Sequence, residues 1–242
     1  MQAPEQHAGF YGKVTTHGDF VSRRLPAAFV DRWDHWLQQR LQGSRAELGS
    51  EWLDTYLGCP LWRFALARGI CDANAWAGVW MPSVDRVGRH FPLTITAATA
   101  AGSLQEPLLD WLQASAWYDH LESLALSTLQ DGFVLDVFDH AVRAIEPLPD
   151  VASPTSYDTV AGMDGMWLPV AGIDQISGSI PGIHERIAAD ALAGHSLWWS
   201  DGSARVDPAI LMCKALPSQA QFTAMLAGHP RDRVRIAAAA SA

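Results

Sequence analysis

Three short stretches of this chain fit neither helix nor strand, and they most constrain what it can fold into. Gly9-Phe10-Tyr11-Gly12-Lys13 with Gly18-Asp19-Phe20 comes first. Cys59-Pro60-Leu61-Trp62-Arg63-Phe64 follows, and Met81-Pro82-Ser83-Val84-Asp85-Arg86-Val87-Gly88-Arg89-His90-Phe91-Pro92 comes last. Glycine admits backbone conformations closed to other residues, and proline fixes φ and removes a donor. Segments mixing them with large aromatics and a few charges specify turns and close approaches. They hold no catalytic or cofactor fingerprint, so the residues alone point to a folded domain with a specialised surface.

Regular elements are legible between these stretches. Phe10 to Val14 reads as a short strand, and Thr15 to Pro26 as a structured loop. Pro26 suits a helix start. Phe29, Val30, Trp33, Trp36, Leu37 and Leu41 then recur at helical spacing, with Gly43 as the expected stop and a second helix over 46–57, Leu48, Trp52, Leu53 and Tyr56 facing inward. Residues 61–67, 76–84 and 91–98 read as strands. The last two are joined tightly enough to pair antiparallel. Helices are predicted within 107–130 and, after a break at Asp131-Gly132, over 133–145. The stretch 146–181 is rich in Pro, Gly, Ser and Asp and reads as a long loop or subdomain joint. A helix over 183–192, strands over 195–200 and 209–215, and a helix capped by Ser218 through Ala227 complete the pattern. The tail from Arg231 onward is expected to fray. The expected fold is α/β or α+β, with a largely antiparallel central sheet flanked by helices, and with residues 1–242 as a single domain.

Composition narrows the function classes. The chain has 242 residues, enough to bury roughly 70–75% of its unfolded surface without a metal or disulfide staple. Eleven tryptophans are unusually many, and each buried indole N–H needs a partner. The formal charge of −9 and pI near 5.3 argue against a broad nucleic-acid face. Cys59, Cys71 and Cys213 are scattered and odd in number, which disfavours zinc or a disulfide framework. No apolar run approaches the roughly 20 residues of a membrane span, and Met1 to His7 lacks a hydrophobic signal core. A cytoplasmic protein without direct membrane insertion is expected.

Chemistry-bearing motifs are absent or incomplete. Gly9-x-x-Gly12-Lys13 is followed by Val14, where a phosphate-binding loop needs Ser or Thr for magnesium. No G-x-G-x-x-G, H-x-x-x-H, H-E-x-x-H or G-x-S-x-G occurs. His17 with Asp19, Asp85 with His90, and Asp139 with His140 read as turn and cap residues. No cofactor is expected. Asp85, Arg86 and Arg89 crowd one turn, either as an internal Asp–Arg pair or as a partner contact, since arginine forks recognise carboxylates and phosphates. Arg23-Arg24 is a second basic pair. Trp198 and Trp199 are neighbours on a strand and so face opposite ways. Either helices cover both faces, or one indole forms a recognition patch.

These residues resemble the TagF family of type VI secretion-associated proteins. Gly9-Phe10-Tyr11-Gly12-Lys13 and Gly18-Asp19-Phe20-Val21 are similar to the family's opening motif, with Thr15 where proline is usual. That departure leaves the shape of the loop in question. The likeness continues through Leu25-Pro26, Trp33 and Trp36 and is strongest over 60–64, 76–79 and 81–89. It extends to Ser196-Leu197-Trp198-Trp199, Asp201-Gly202 and Leu216-Pro217. The resemblance implies a non-enzymatic cytoplasmic regulator, somewhat like longin or signal-recognition-receptor modules in fold. Such a protein restrains type VI secretion after translation by engaging a forkhead-associated scaffold protein. Arg23, Arg24, Asp85, Arg86, Arg89 and Trp198 are the expected contact residues. The competing expectation is a hydrolase or nucleotide-dependent switch built from Lys13, His17, Asp19, Asp85 and His90. A structural adaptor within a larger assembly is a third.

Overall fold

A computed structural model describes residues 7–98, 114–148 and 191–228. Seven strands form one sheet: β1 (Gly9–Gly12), β2 (Val21–Arg23), β3 (Trp62–Leu66), β4 (Trp76–Met81), β5 (Leu93–Ala98), β6 (His195–Ser200) and β7 (Ala209–Lys214). Their order is β2-β1-β5-β4-β3-β6-β7, and every neighbouring pair is antiparallel. The fold is therefore α+β, as expected.

Strand alternation sorts the side chains into two layers. Trp62, Phe64, Trp76, Trp80 and Trp198 face one side. There α1 (Ala27–Leu48) supplies Phe29, Trp33 and Trp36, and α5 (Gln219–Ala227) supplies Phe222, with α2 (Trp52–Leu57) packed beside both helices. Arg63, Trp199 and Phe10 face the other side, against α3 (Ser115–Ser127) and α4 (Leu135–Arg143). Among the described residues, the N–H groups of the buried indoles find partners: Trp33 donates to Thr94 Oγ1, Trp36 to the Pro217 carbonyl and Trp52 to Ser44 Oγ, each at 2.9 Å. Trp80 Nε1 is the exception, buried without a partner among the described residues.

Several boundaries differ from expectation for physical reasons. Helix α1 does not stop at Gly43 but runs to Leu48. Gly43 is a packing notch there, because a Cβ would collide with the Gln219 side chain of α5. Residues 46–48 therefore belong to α1, a 3-10 turn at Gly49–Glu51 follows, and α2 starts only at Trp52 with Leu53 exposed. The loop expected over 15–26 contains the short strand β2, paired to β1. Strand β4 ends at Met81, since Pro82 has no ladder donor, and pairing resumes as a single bridge between Val84 and His90. The break at Asp131-Gly132 and the Ser218 cap are present, the latter as a capping box with Gln221. The expected tail at 231–242 and the start of the 107–130 helical region, residues 107–113, lie outside the described residues, as do the loop at 146–181 beyond residue 148 and the helix at 183–192 before residue 191.

Candidate functional site

The Gly-rich opening and the 81–92 segment meet at one end of the sheet. Gly12 makes the approach possible. Its φ is 142°, and a Cβ would strike the Pro92 carbonyl. The next residue, Lys13, is buried, and its ammonium pairs with the buried Asp85 carboxylate. Asp85 Oδ1 also accepts the backbone N–H groups of Val87 (3.0 Å) and Arg89 (2.8 Å), and Oδ2 accepts Arg89 Nε at 2.7 Å. Arg89 reaches on to the Gly18 carbonyl, and the Arg86 amide donates to the His17 carbonyl at 3.0 Å. One carboxylate thus clamps the hairpin turn to loop 15–20.

A second set of bonds fixes the platform from below. Tyr56 of α2 donates its hydroxyl to the Ser83 carbonyl and accepts the Ser83 amide, both at 2.9 Å. Ser83 Oγ donates to the Lys13 carbonyl at 2.7 Å. Above Lys13, Phe20 lies 5.0 Å from the ammonium, stacks on Tyr11 at 5.5 Å and meets Phe91 edge-on at 4.8 Å. Burial by itself pushes the Asp85 carboxyl up. The hydrogen bonds from Lys13, Arg89 and Val87 outweigh it and hold the group far below the usual carboxylate range. His90 packs edge-on against Trp52 and Tyr56, and burial, helped by the Arg45 charge, lowers its pKa.

The expected contact residues separate into different roles. Arg86 is exposed, and Arg89 is half-exposed while braced inward. Asp85 is the buried centre of the clamp, so it positions the loops and has no outward face. Arg24 ties β2 to α4: Nε donates to the Ala8 carbonyl at 2.8 Å and Nη1 to Asp139 Oδ1 at 2.5 Å. Arg23 stays half-exposed, 3.9 Å from Asp139. Trp198 requires a correction. It is fully buried among Trp33, Trp36 and Phe64 and is a core residue, because its strand face lies under α1. Trp199, on the opposite face, packs edge-on against Tyr118 of α3 at 4.8 Å.

The residues of the enzymatic alternative converge only in part. Lys13 and Asp85 meet, but as each other's partner. His17 Nδ1 lies 2.9 Å from Thr16 Oγ1, Asp19 is exposed, and His90 packs on the aromatic side. Among the described residues, no three His, Cys, Asp or Glu side chains are placed to hold a metal. No described helix is long and apolar enough to cross a membrane.

Sequence reasoning overlooked Arg63. It is a buried strand arginine whose Nε donates to Glu122 at 2.6 Å and whose Nη2 donates to Asp119 at 2.7 Å, riveting α3 to the sheet. The only signal was a charge inside the apolar run Trp62-Arg63-Phe64.

Comparison with known proteins agrees with this architecture. Residues 9–145 match the family model of the TagF N-terminal domain, described as type VI secretion system-associated. That match holds β1 to β5 and ends before β6 and β7, which complete the same sheet. The crystal structure of PA0076 from Pseudomonas aeruginosa PAO1 is similar, with 36% identity and a TM-score of 0.76. The alignment covers 92% of this chain and 94% of that one. No curated protein matches the chain. With the family motif residues gathered into one clamp and more than half of the sequence matched, this chain belongs to the TagF family of type VI secretion system-associated proteins.

Proposed function

We propose that the chain is a cytoplasmic, non-enzymatic regulator that restrains type VI secretion after translation by binding a forkhead-associated scaffold protein. The face it offers is the platform of loop 15–20 and the 82–90 hairpin. One observation carries this reading: Lys13, Asp85 and Arg89 are turned on each other, whereas Asp19, Phe20, Arg86 and Val87 stand outside, Val87 at 64% exposure. A surface held rigid before contact loses little ordering entropy on binding. Aromatic and arginine side chains are the usual energetic anchors of such contacts. The enzymatic alternative has no comparable support, because the ammonium and carboxylate it needs neutralise one another.

The structure also separates two arginines that look equivalent in sequence. Arg86→Glu is expected to weaken scaffold binding about tenfold at near-physiological salt and to leave the thermal transition in place. Arg89→Glu is expected to lower the transition itself, because it sets a second carboxylate against Asp85. Titration calorimetry and thermal unfolding of the purified proteins check both. Failure of the wild-type chain to bind the scaffold removes the partner assignment. A strain lacking the protein is expected to secrete more, and reduced secretion would make the chain a component of the apparatus and not a brake.

A further inference from the structure

The two edges of the sheet are built differently. On one side β2 is three residues long, and Arg23 and Arg24 tether it to α4. Short length and charge are the ordinary protections of a sheet edge. On the other side β7 runs for six residues, and Ala209-Ile210-Leu211-Met212-Cys213 carries no charge before Lys214. Ile210 is 70% exposed and Met212 is 58% exposed, both on the α3 face of the sheet. A strand of this kind is a ready template for another strand.

The hydrogen-bond parity of β7 shows which groups point outward and have no partner among the described residues. Ala215 donates its amide to the Gly194 carbonyl, in register with the pairs Ser196–Cys213, Trp198–Leu211 and Ser200–Ala209. Antiparallel ladders alternate, so the amides and carbonyls of Ile210, Met212 and Lys214 point away from β6. Three consecutive outward-facing residues form a self-complementary set. A two-fold axis at Met212 sets Met212 opposite Met212 and Ile210 opposite Lys214, and all three residues of each strand pair. The only charged side chain then faces an apolar one, so no like charges oppose each other, and the lysine stem covers the isoleucine. On the α5 face, a groove of about 440 Å³ lined by Trp62, Leu211, Ala224 and Met225 lies beside the same edge. It leaves room for side chains of an added strand.

We infer that β7 pairs antiparallel with β7 of a second copy of this chain, joining the two sheets into one across a two-fold axis at Met212. The partner has the chemistry of this strand: extended, apolar and uncharged at its centre. The contact lies on the sheet edge opposite β1 and β2, so scaffold binding is not required for it.

Sedimentation of the purified full chain at tens of micromolar is expected to give twice the 26.4 kDa monomer mass. Met212→Lys sets two ammonium groups face to face and is expected to weaken association about tenfold or more, with the circular dichroism spectrum unchanged. A cysteine pair reads the register without relying on that variant. In a Cys213→Ser background, Met212→Cys is expected to form an interchain disulfide under mild oxidation, since directly paired Cα atoms about 5.5 Å apart lie within disulfide reach. Ile210→Cys, offset across the axis, is expected not to do so. A monomeric wild type overturns the inference and leaves the edge to an extended segment of a different protein. Cross-linking at Ile210→Cys and not at Met212→Cys overturns it as well.

Discussion

Trp198→Ala is expected to cost about 3–5 kcal/mol of folding stability and to lower the thermal midpoint by roughly 6–20 °C for a chain of this length. The ring has no solvent exposure. It stacks on Trp33 at 5.9 Å and lies 5.5 Å from Trp36 and 5.2 Å from Phe64, so its walls come from α1 and β3. Those walls are rigid aromatics, Trp33 and Trp36 anchored by their own indole hydrogen bonds, and they cannot collapse into the space an alanine would leave. Truncation also strips the Ser196 hydroxyl of the indole N–H that it accepts at 2.8 Å. Trp199→Ala, on the half-covered opposite face, is expected to lose distinctly less. Thermal and urea unfolding measure both. Scaffold affinity of the folded Trp198→Ala protein is expected to match wild type, and lost binding at an unchanged midpoint would place Trp198 on the surface instead.

Trp198 also shows what a sequence can and cannot reveal. Its adjacency to Trp199 fixes that the two rings face opposite ways, because strand alternation is local geometry. Which helix covers each ring depends on residues far away in the chain, Trp33 and Trp36 for Trp198 and Tyr118 for Trp199. The same divide runs through the chain. The α1 stripe, the β4–β5 hairpin and the Ser218 cap are written in spacings of two to four residues and were legible. Gly43 reads as a stop in the sequence because its meaning lies in the Gln219 side chain of another helix. Strand β2 was hidden because three residues carry no period. Arg63 looked like an oddity in a strand because its acidic partners are 56 and 59 residues distant. At the candidate site, the crowding of Asp85, Arg86 and Arg89 was visible, but the division of labour among them was not. It is decided by Lys13, 72 residues from Asp85.

That long-range pair sets the second large effect. Asp85→Asn keeps the shape of the side chain and places an amide NH2 where Oδ2 stood, so that it faces two donors, Lys13 Nζ and Arg89 Nε. The buried ammonium is left without its counter-charge, and breaking one member of a buried pair is far more damaging than replacing both. A fall in the thermal midpoint of roughly 5–10 °C is expected at neutral pH, and Lys13→Met added to Asp85→Asn is expected to recover part of it. The pH dependence supplies an independent check. The Asp85 carboxyl lies far below its ordinary range in the fold, so the unfolded chain takes up the proton first as pH falls. Its contribution is complete above the unfolded carboxyl value of about 3.9 and drains away as acid carries the protein through the lower folded value. Wild type and Asp85→Asn are therefore expected to differ most at neutral pH and to converge below about pH 4, as read by urea unfolding at fixed ionic strength. Parallel curves down to strong acid would show that the carboxylate is not the charge that holds the two loops together. The platform proposed to meet the scaffold would then need another brace.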